Sequence, residues 1–234
     1  MYLAIDVGNT FVKYAIFKED RIIYSNQSDL LDEKLISQIS FDYNIRSLII
    51  SSVRKEKKIS LDLDVLYLSY RTNLPISIDY KSPETLGNDR IANICAATSL
   101  FPEKDILIID SGSCITMDYI SKEHKYLGGR ISPGLQMRYE SLNYFTEKLP
   151  KLDFRDKFLL LGDSTNSCII SGVQNGIIAE IDDIITEIKK EKPDLFVLGT
   201  GGDIFFFEKA LKNPIFADSN LLMKGLNKIL QYNV

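Results

Sequence analysis

The sequence predicts a mixed α/β protein built from two similar halves, and three observations carry that prediction. An apolar run that delivers an aspartate into a glycine turn occurs twice, as Tyr2-Leu3-Ala4-Ile5-Asp6-Val7-Gly8-Asn9-Thr10 and as Ile106-Leu107-Ile108-Ile109-Asp110-Ser111-Gly112-Ser113-Cys114. Each copy continues into further strand-like segments, and each half then alternates helical and strand-like stretches. Hydrophobic residues make up 45% of the 234 residues and charged residues 26%, enough to build cores of ordinary globular domains.

In order along the chain, strands are expected at 2–6, 11–17 and 21–27, with Lys18-Glu19-Asp20 as the second turn. A helical stretch follows near 30–40, then a strand from Arg46 to Ser51 and shorter strands at 65–68 and 76–78. Ser82-Pro83-Glu84 reads as a helix start, with a capping serine and a proline in the first turn, and the helix runs to about Leu100. Phe101-Pro102-Glu103-Lys104 breaks it and the cycle restarts: strands at 105–109, 114–120 and 125–131, and helices near 134–145 and 164–191. A last strand, Leu195 to Leu198, enters Gly199-Thr200-Gly201-Gly202 ahead of helices at 203–212 and 219–231. The boundary is a proline-marked turn with no linker, so the domains are drawn at 1–103 and 104–234, with a cleft expected between them.

Composition excludes several classes. The net charge of −4 argues against a nucleic-acid surface, and the basic run Arg54-Lys55-Glu56-Lys57-Lys58 reads as a solvated turn. Cys95, Cys114 and Cys168 lack any CxxC spacing, so they read as buried small hydrophobes and not as a zinc or disulfide framework. Met1 leads straight into a strand and no apolar run approaches the ~18 residues of a membrane span, so the cytoplasm is expected. The single histidine, His124, lies in a charged hairpin turn and reads as a surface residue, which disfavours chemistry with a histidine base.

The candidate sites come from residue type and placement. A glycine two residues after an aspartate permits a tight turn whose N–H groups and hydroxyls can face an anion, and two such turns suggest a polyphosphate gripped from both sides. Asn9 and Thr10 can donate to phosphate oxygens, Lys13 adds a point charge, and Asp6 would hold Mg²⁺ directly or through water. Gly199 to Asp203 leaves bare backbone at a helix start, suited to a nucleotide or to nothing beyond a strand-to-helix turn. Leu86-Gly87-Asn88-Asp89-Arg90 sets a glycine inside a helix at a cost of about 1 kcal/mol, a break with a purpose. Asp89 could take a proton from an attacking hydroxyl and Arg90 could grip a carboxylate, or the two could form a buried structural ion pair. Gly128 to Gly134 could wall a pocket or make a compact turn. Gly172 and Gly176, four apart in a long helix, suggest close helix approach at a dimer or domain contact.

Taken in order, these stretches resemble the type III pantothenate kinases of the acetate kinase, sugar kinase, Hsp70 and actin superfamily. The resemblance spans nearly the whole chain: Asp6 to Thr10 with Lys13, Ser51-Ser52-Val53, Gly87 to Arg90, Asp110 to Ser113 with Thr116 and Asp118, Gly128 to Gly134, Thr165, Gly201-Gly202, and Asn220 to Leu226. It implies two ribonuclease H-like, actin-like ATPase domains with mixed sheets flanked by helices. It also implies ATP-dependent phosphorylation of pantothenate to 4'-phosphopantothenate, the first step of coenzyme A synthesis. Carried over by position, Asp6, Val7, Gly8, Asn9, Thr10, Phe11, Val12 and Lys13 would cradle the ATP phosphates and Ser113 would contact ATP. Asp89 would be the base, Asp110 would hold a monovalent cation (K⁺ or NH₄⁺), and Tyr80, Gly87, Asn88, Asp89, Arg90 and Thr165 would bind pantothenate. The family implies a homodimer whose pocket the partner completes. Gly112-Ser113-Cys114 departs from the family's usual Gly-Thr-Ala, keeping the hydroxyl but losing the methyl that stiffens it, and Phe11 replaces a smaller residue. The rival readings are a superfamily kinase for another small alcohol or acid, and a non-catalytic nucleotide-binding regulator.

Overall fold

The computed structural model describes residues 1–8, 11–30, 32–54 and 63–234. In chain order its elements are β1 (Tyr2–Val7), β2 (Val12–Lys18), β3 (Arg21–Ser28), α1 (Glu33–Asp42), β4 (Ser47–Ser52), β5 (Asp64–Tyr67), β6 (Ser77–Ile78) and α2 (Asn88–Leu100). Then follow β7 (Ile106–Ser111), β8 (Cys114–Ile120), β9 (Lys125–Pro133), α3 (Leu135–Tyr144), α4 (Thr165–Glu191), β10 (Phe196–Thr200), α5 (Ile204–Ala210), β11 (Phe216–Ala217) and α6 (Leu221–Asn233). They form two compact units, one of residues 1–103, 120–127 and 220–234, the other of 104–119 and 128–219.

The first unit holds a sheet of order β3-β2-β1-β4-β5. β2 runs antiparallel to β1 and β3, whereas β1, β4 and β5 run parallel. Leu3, Ile5 and Val7 of β1 share a core with Val12, Tyr14 and Ile16 of β2, Leu48 and Ile50 of β4, and Ile36 and Ile39 of α1. Because side chains alternate along a strand, Ala4 and Asp6 point to the opposite face. A strand covered on both faces must be apolar on both, which is why β1 reads as a continuous hydrophobic run broken only by its aspartate.

The C-terminal helix α6 belongs to this unit and packs against α2 and β1. Gly225 makes the crossing possible: a Cβ there would run into the carbonyl of Ala92. Asn227 donates to the carbonyl of Glu19 at 2.9 Å and Lys228 meets Asp20 at 2.6 Å, so α6 also clamps the β2–β3 turn. Residues 120–127 join the unit through β6, where Ser77 and Ile78 pair in parallel with Lys125 and Tyr126. His124, at φ 61°, places Nε2 2.9 Å from the carbonyl of Pro102, so the turn residue expected at the surface also ties the loop after α2 to the turn before β9.

The second unit runs β11-β10-β7-β8-β9, with β10 parallel to both β7 and β11. Leu107, Ile109, Ile115 and Met117 pack on Ile177, Ile181 and Ile185 of α4 and on Ile204 and Phe207 of α5. α4 starts at a reciprocal cap in which Ser164 and Ser167 satisfy each other's backbone N–H. Among the described residues no helix is long and apolar enough to cross a membrane.

Two expectations are corrected and a third is narrowed. The helix expected from Ser82 is a single 3₁₀ turn, Pro83–Thr85; Leu86 is then extended and α2 begins only at Asn88, so Gly87 is an N-cap and not an interior break. Of the cysteines only Cys95 is buried, its thiol pushed by burial up to about 12, whereas Cys114 opens β8 beside a turn and Cys168 lies on the outer side of α4, both exposed. Gly172 and Gly176 meet nothing among the described residues, so the expected close approach is not one within the described chain, whereas a close helix contact falls at Gly225. Most of the basic run and Asn9 and Thr10 lie outside the described residues.

Gly225→Ala should destabilise the protein by about 1–3 kcal/mol in urea denaturation, the usual cost of overpacking. Gly176→Ala should be neutral or stabilise it by up to about 1 kcal/mol. A neutral Gly225→Ala would contradict the α2–α6 crossing.

Candidate active site

The register of the first sheet builds the first motif. Asp6 stands opposite Lys13 on β2 and opposite Ser51 on β4, so the three lie abreast across neighbouring strands on one face. Ser51, fully buried, donates its hydroxyl to Asp6 Oδ1 at 2.8 Å. Oδ2 turns instead towards the loop, 3.8 Å from where a Cβ on Gly8 would sit. That loop closes with the N–H of Gly8 donating to the carbonyl of Phe11 at 3.0 Å. Val7 and Val12 belong to the core, so of these two motif positions only the backbone can face a ligand, while Phe11 stands exposed. Burial holds the Asp6 carboxyl above its ordinary range; the Ser51 hydrogen bond lowers it, the charge of Asp89 raises it further and Lys13 lowers it.

That coupling brings in the second motif. Asp89 is the second residue of α2, where exposed N–H groups and the helix dipole favour a carboxylate. Its Oδ1 accepts from the N–H of Arg90 at 2.8 Å and lies where a Cβ on Gly87 would be. The glycine is therefore the space into which the carboxylate folds. Asn88 spends its amide on the carbonyl of Leu68 at 3.1 Å, tying the helix start to the end of β5. Arg90 is only 6% exposed and donates through Nη2 to the hydroxyl of Tyr126 at 2.9 Å. The ring of Tyr126 lies 5.8 Å from that of Tyr80 at 44°. Asp89, Arg90 and Tyr80 thus fall into one connected set through Tyr126, while Asp6, held by Ser51, is coupled to Asp89 by charge; sequence reasoning gave neither Ser51 nor Tyr126 a role. Ser51 had a signal, a serine pair ending an apolar strand; Tyr126 had none.

In the second unit Asp110, the residue before the last of β7, stands opposite Thr200 of β10. Gly201, at φ 97°, presses on this corner: a Cβ there would be 2.6 Å from Asp110 Oδ1 and would strike the carbonyl of Ser111, which accepts from Asp203 N–H at 3.1 Å. Gly134 packs equally closely on the carbonyls of Gly112 and Ser113, and its N–H donates to Ser113 at 3.1 Å. Three glycine-bearing motifs therefore meet on one turn, with Ser113 exposed at its tip. Burial raises the Asp203 carboxyl. Thr165, the first residue of α4, is exposed on the rim of a groove of about 640 Å³ floored by Leu142, Leu149 and Ile169.

Neither unit offers three or more His, Cys, Asp or Glu side chains grouped for a metal among the described residues. Among the described residues no hydrogen bond falls on Asp6 Oδ2, and one such carboxylate oxygen fits a different use, since Mg²⁺ commonly takes one or two carboxylates and completes its shell with water and substrate phosphates.

The sequence profile described as type III pantothenate kinase matches residues 2–187. A type III pantothenate kinase of Phocaeicola vulgatus is 40% identical over 100% of this chain and 99% of its own length. Among solved structures, a Campylobacter jejuni protein assigned to the Baf family of transcriptional activators superposes with a TM-score of 0.67 at 23% identity, covering 99% of this chain and 98% of its own. A Sinorhizobium meliloti protein assigned as a 2-dehydro-3-deoxygalactonokinase does so with 0.61 at 10% identity, covering 100% and 99%. The last two speak for the fold alone, which is that of the sugar kinases and actin-like ATPases. With its motifs in place and a full-length relative at this identity, the chain belongs to the type III pantothenate kinase family.

Proposed function

We propose that this chain transfers the terminal phosphoryl group of ATP to the hydroxyl of pantothenate, giving 4'-phosphopantothenate for coenzyme A synthesis. The observation that carries the reading is a pair of carboxylates of the first unit, coupled by charge, with different surroundings: Asp6, desolvated and pinned by Ser51, and Asp89, cradled at a helix N-terminus over Gly87. In phosphoryl transfer a protein chiefly positions the attacking group and neutralises charge on the transferring oxygens. Asp89 orients the acceptor hydroxyl and takes its proton late. Arg90 meets the pantothenate carboxylate, with Tyr80 beside it. Asp6 would hold Mg²⁺, directly or through water, and the ion supplies charge neutralisation on the phosphates when bound. Lys13 adds a second positive charge on the same face of the sheet.

In the second unit Asp110 presents one carboxylate bordered by bare glycine backbone, an oxygen-rich setting suited to a hard monovalent cation such as K⁺ or NH₄⁺, and Ser113 offers its hydroxyl to the nucleotide. Thr165 serves the pantothenate pocket of a partner subunit in a homodimer. A regulator that only bound nucleotide would have no use for a glycine kept bare so that a carboxylate can fold over a helix start, and this favours the enzyme.

A coupled ADP-release assay should show turnover of pantothenate in K⁺ and Mg²⁺ and a much lower rate in Na⁺; equal rates in the two salts would remove the cation from Asp110. Asp89→Asn should fold normally and lose about 10²-fold or more in kcat, the scale of a positioned base. Gly87→Ala should also fold, yet lose about 10-fold by displacing the Asp89 carboxylate, and an unchanged kcat would deny that glycine its role.

Asp6 also makes a stability prediction. Its folded pKa is raised, so the folded state binds more protons than the unfolded one between the two values, and stability falls as pH rises through that window. Asp6→Asn, free of this penalty, should therefore melt at higher temperature than the native protein at pH 7 without nucleotide or metal, and the advantage should vanish below about pH 4, the unfolded carboxylate range. Thermal melts at both pH values check it.

A further inference from the structure

The set that links the acceptor side of the site closes on one residue outside every motif. Tyr126 is fully buried on β9, in the excursion 120–127 that the chain makes into the first unit. Its backbone pairs with Ile78, and its carbonyl accepts from the N–H of Asp79 at 3.0 Å, next to Tyr80. Its hydroxyl takes a hydrogen bond from Arg90 Nη2 at 2.9 Å, and its ring lies 5.8 Å from that of Tyr80. One side chain therefore touches both the guanidinium and the aromatic ring that flank the expected acceptor. A phenol oxygen that accepts from one guanidinium nitrogen fixes the direction of that arm of the fork without adding a charge of its own beside it.

We propose that Tyr126 is the positioning residue for acceptor recognition: it aims Arg90 at the substrate carboxylate and sets the ring of Tyr80, so that selectivity for an acid over its neutral analogue depends on it. This rests on the reading of the site as a pantothenate site.

The test is steady-state kinetics of the full chain with pantothenate and with pantothenol, in which an alcohol replaces the carboxylate. Tyr126→Phe keeps the ring and removes only the hydroxyl. It should raise KM for pantothenate about 10-fold, the scale of one hydrogen bond to a charged group, leave KM for pantothenol within about 2-fold, and leave kcat within about 3-fold. In an Arg90→Lys background the same change should add less than about 2-fold, because the two residues act as a unit. An equal rise in KM for both acceptors, no rise for either, full additivity with Arg90→Lys, or a fall in kcat beyond about 3-fold for both acceptors, which a poorly folded variant would give, would overturn the inference. Failure of the underlying reading would appear in the unsubstituted chain, as no turnover of pantothenate, and would overturn the inference with it.

Discussion

The candidate site depends on a carboxylate held where solvation would not keep it. Asp6 sits at the end of a strand buried on both faces, and the hydrogen bond from Ser51 compensates only part of the cost of its charge. Such a group gains from any cation brought to its remaining oxygen. On the function proposed above, the energetic debt written into the sheet would also be affinity for a metal-bound phosphate, a case in which function opposes stability.

Everything around Asp6 follows from keeping that position rigid. The parallel pairing of β1 and β4 sets Ser51 beside it, and the antiparallel pairing with β2 sets Lys13 on its other side. The face on which it lies is approached by α6, whose contact with α2 is closer than any side chain would permit at Gly225. The crossing in turn steadies α2, whose first turn carries Asp89 and Arg90. The second unit reaches rigidity by another route, pressing Gly134 and Gly201 against the carbonyls of the Asp110–Ser113 turn. Glycine serves one purpose at these places, removing a Cβ where another backbone or carboxylate must come close.

Much of this was legible in the chain. Apolar runs ended by aspartate and glycine marked both strands that bear a site, since a doubly covered strand must be apolar and its one polar residue must have a reason. Gly87 was recognisable as an anomaly, but its purpose was not. Local sequence suggested a helix running from Ser82, whereas the 3₁₀ turn and the extended Leu86 bring the chain to Gly87 as an N-cap, and only there does the Asp89 carboxylate have room. Gly172 and Gly176 show the converse, a spacing that meets nothing among the described residues.

The sequence by itself determined the two strand-turn motifs, the helix that runs to Leu100 and the family, because these rest on local periodicity and on residue types that follow one another in the chain. Tertiary structure alone decided that Ser51 would meet Asp6, 45 residues away, and that Tyr126 would meet Arg90, 36 residues away. Both partnerships depend on strand register and on which strands become neighbours. Those are set by the burial of whole faces, and no short stretch of sequence records them.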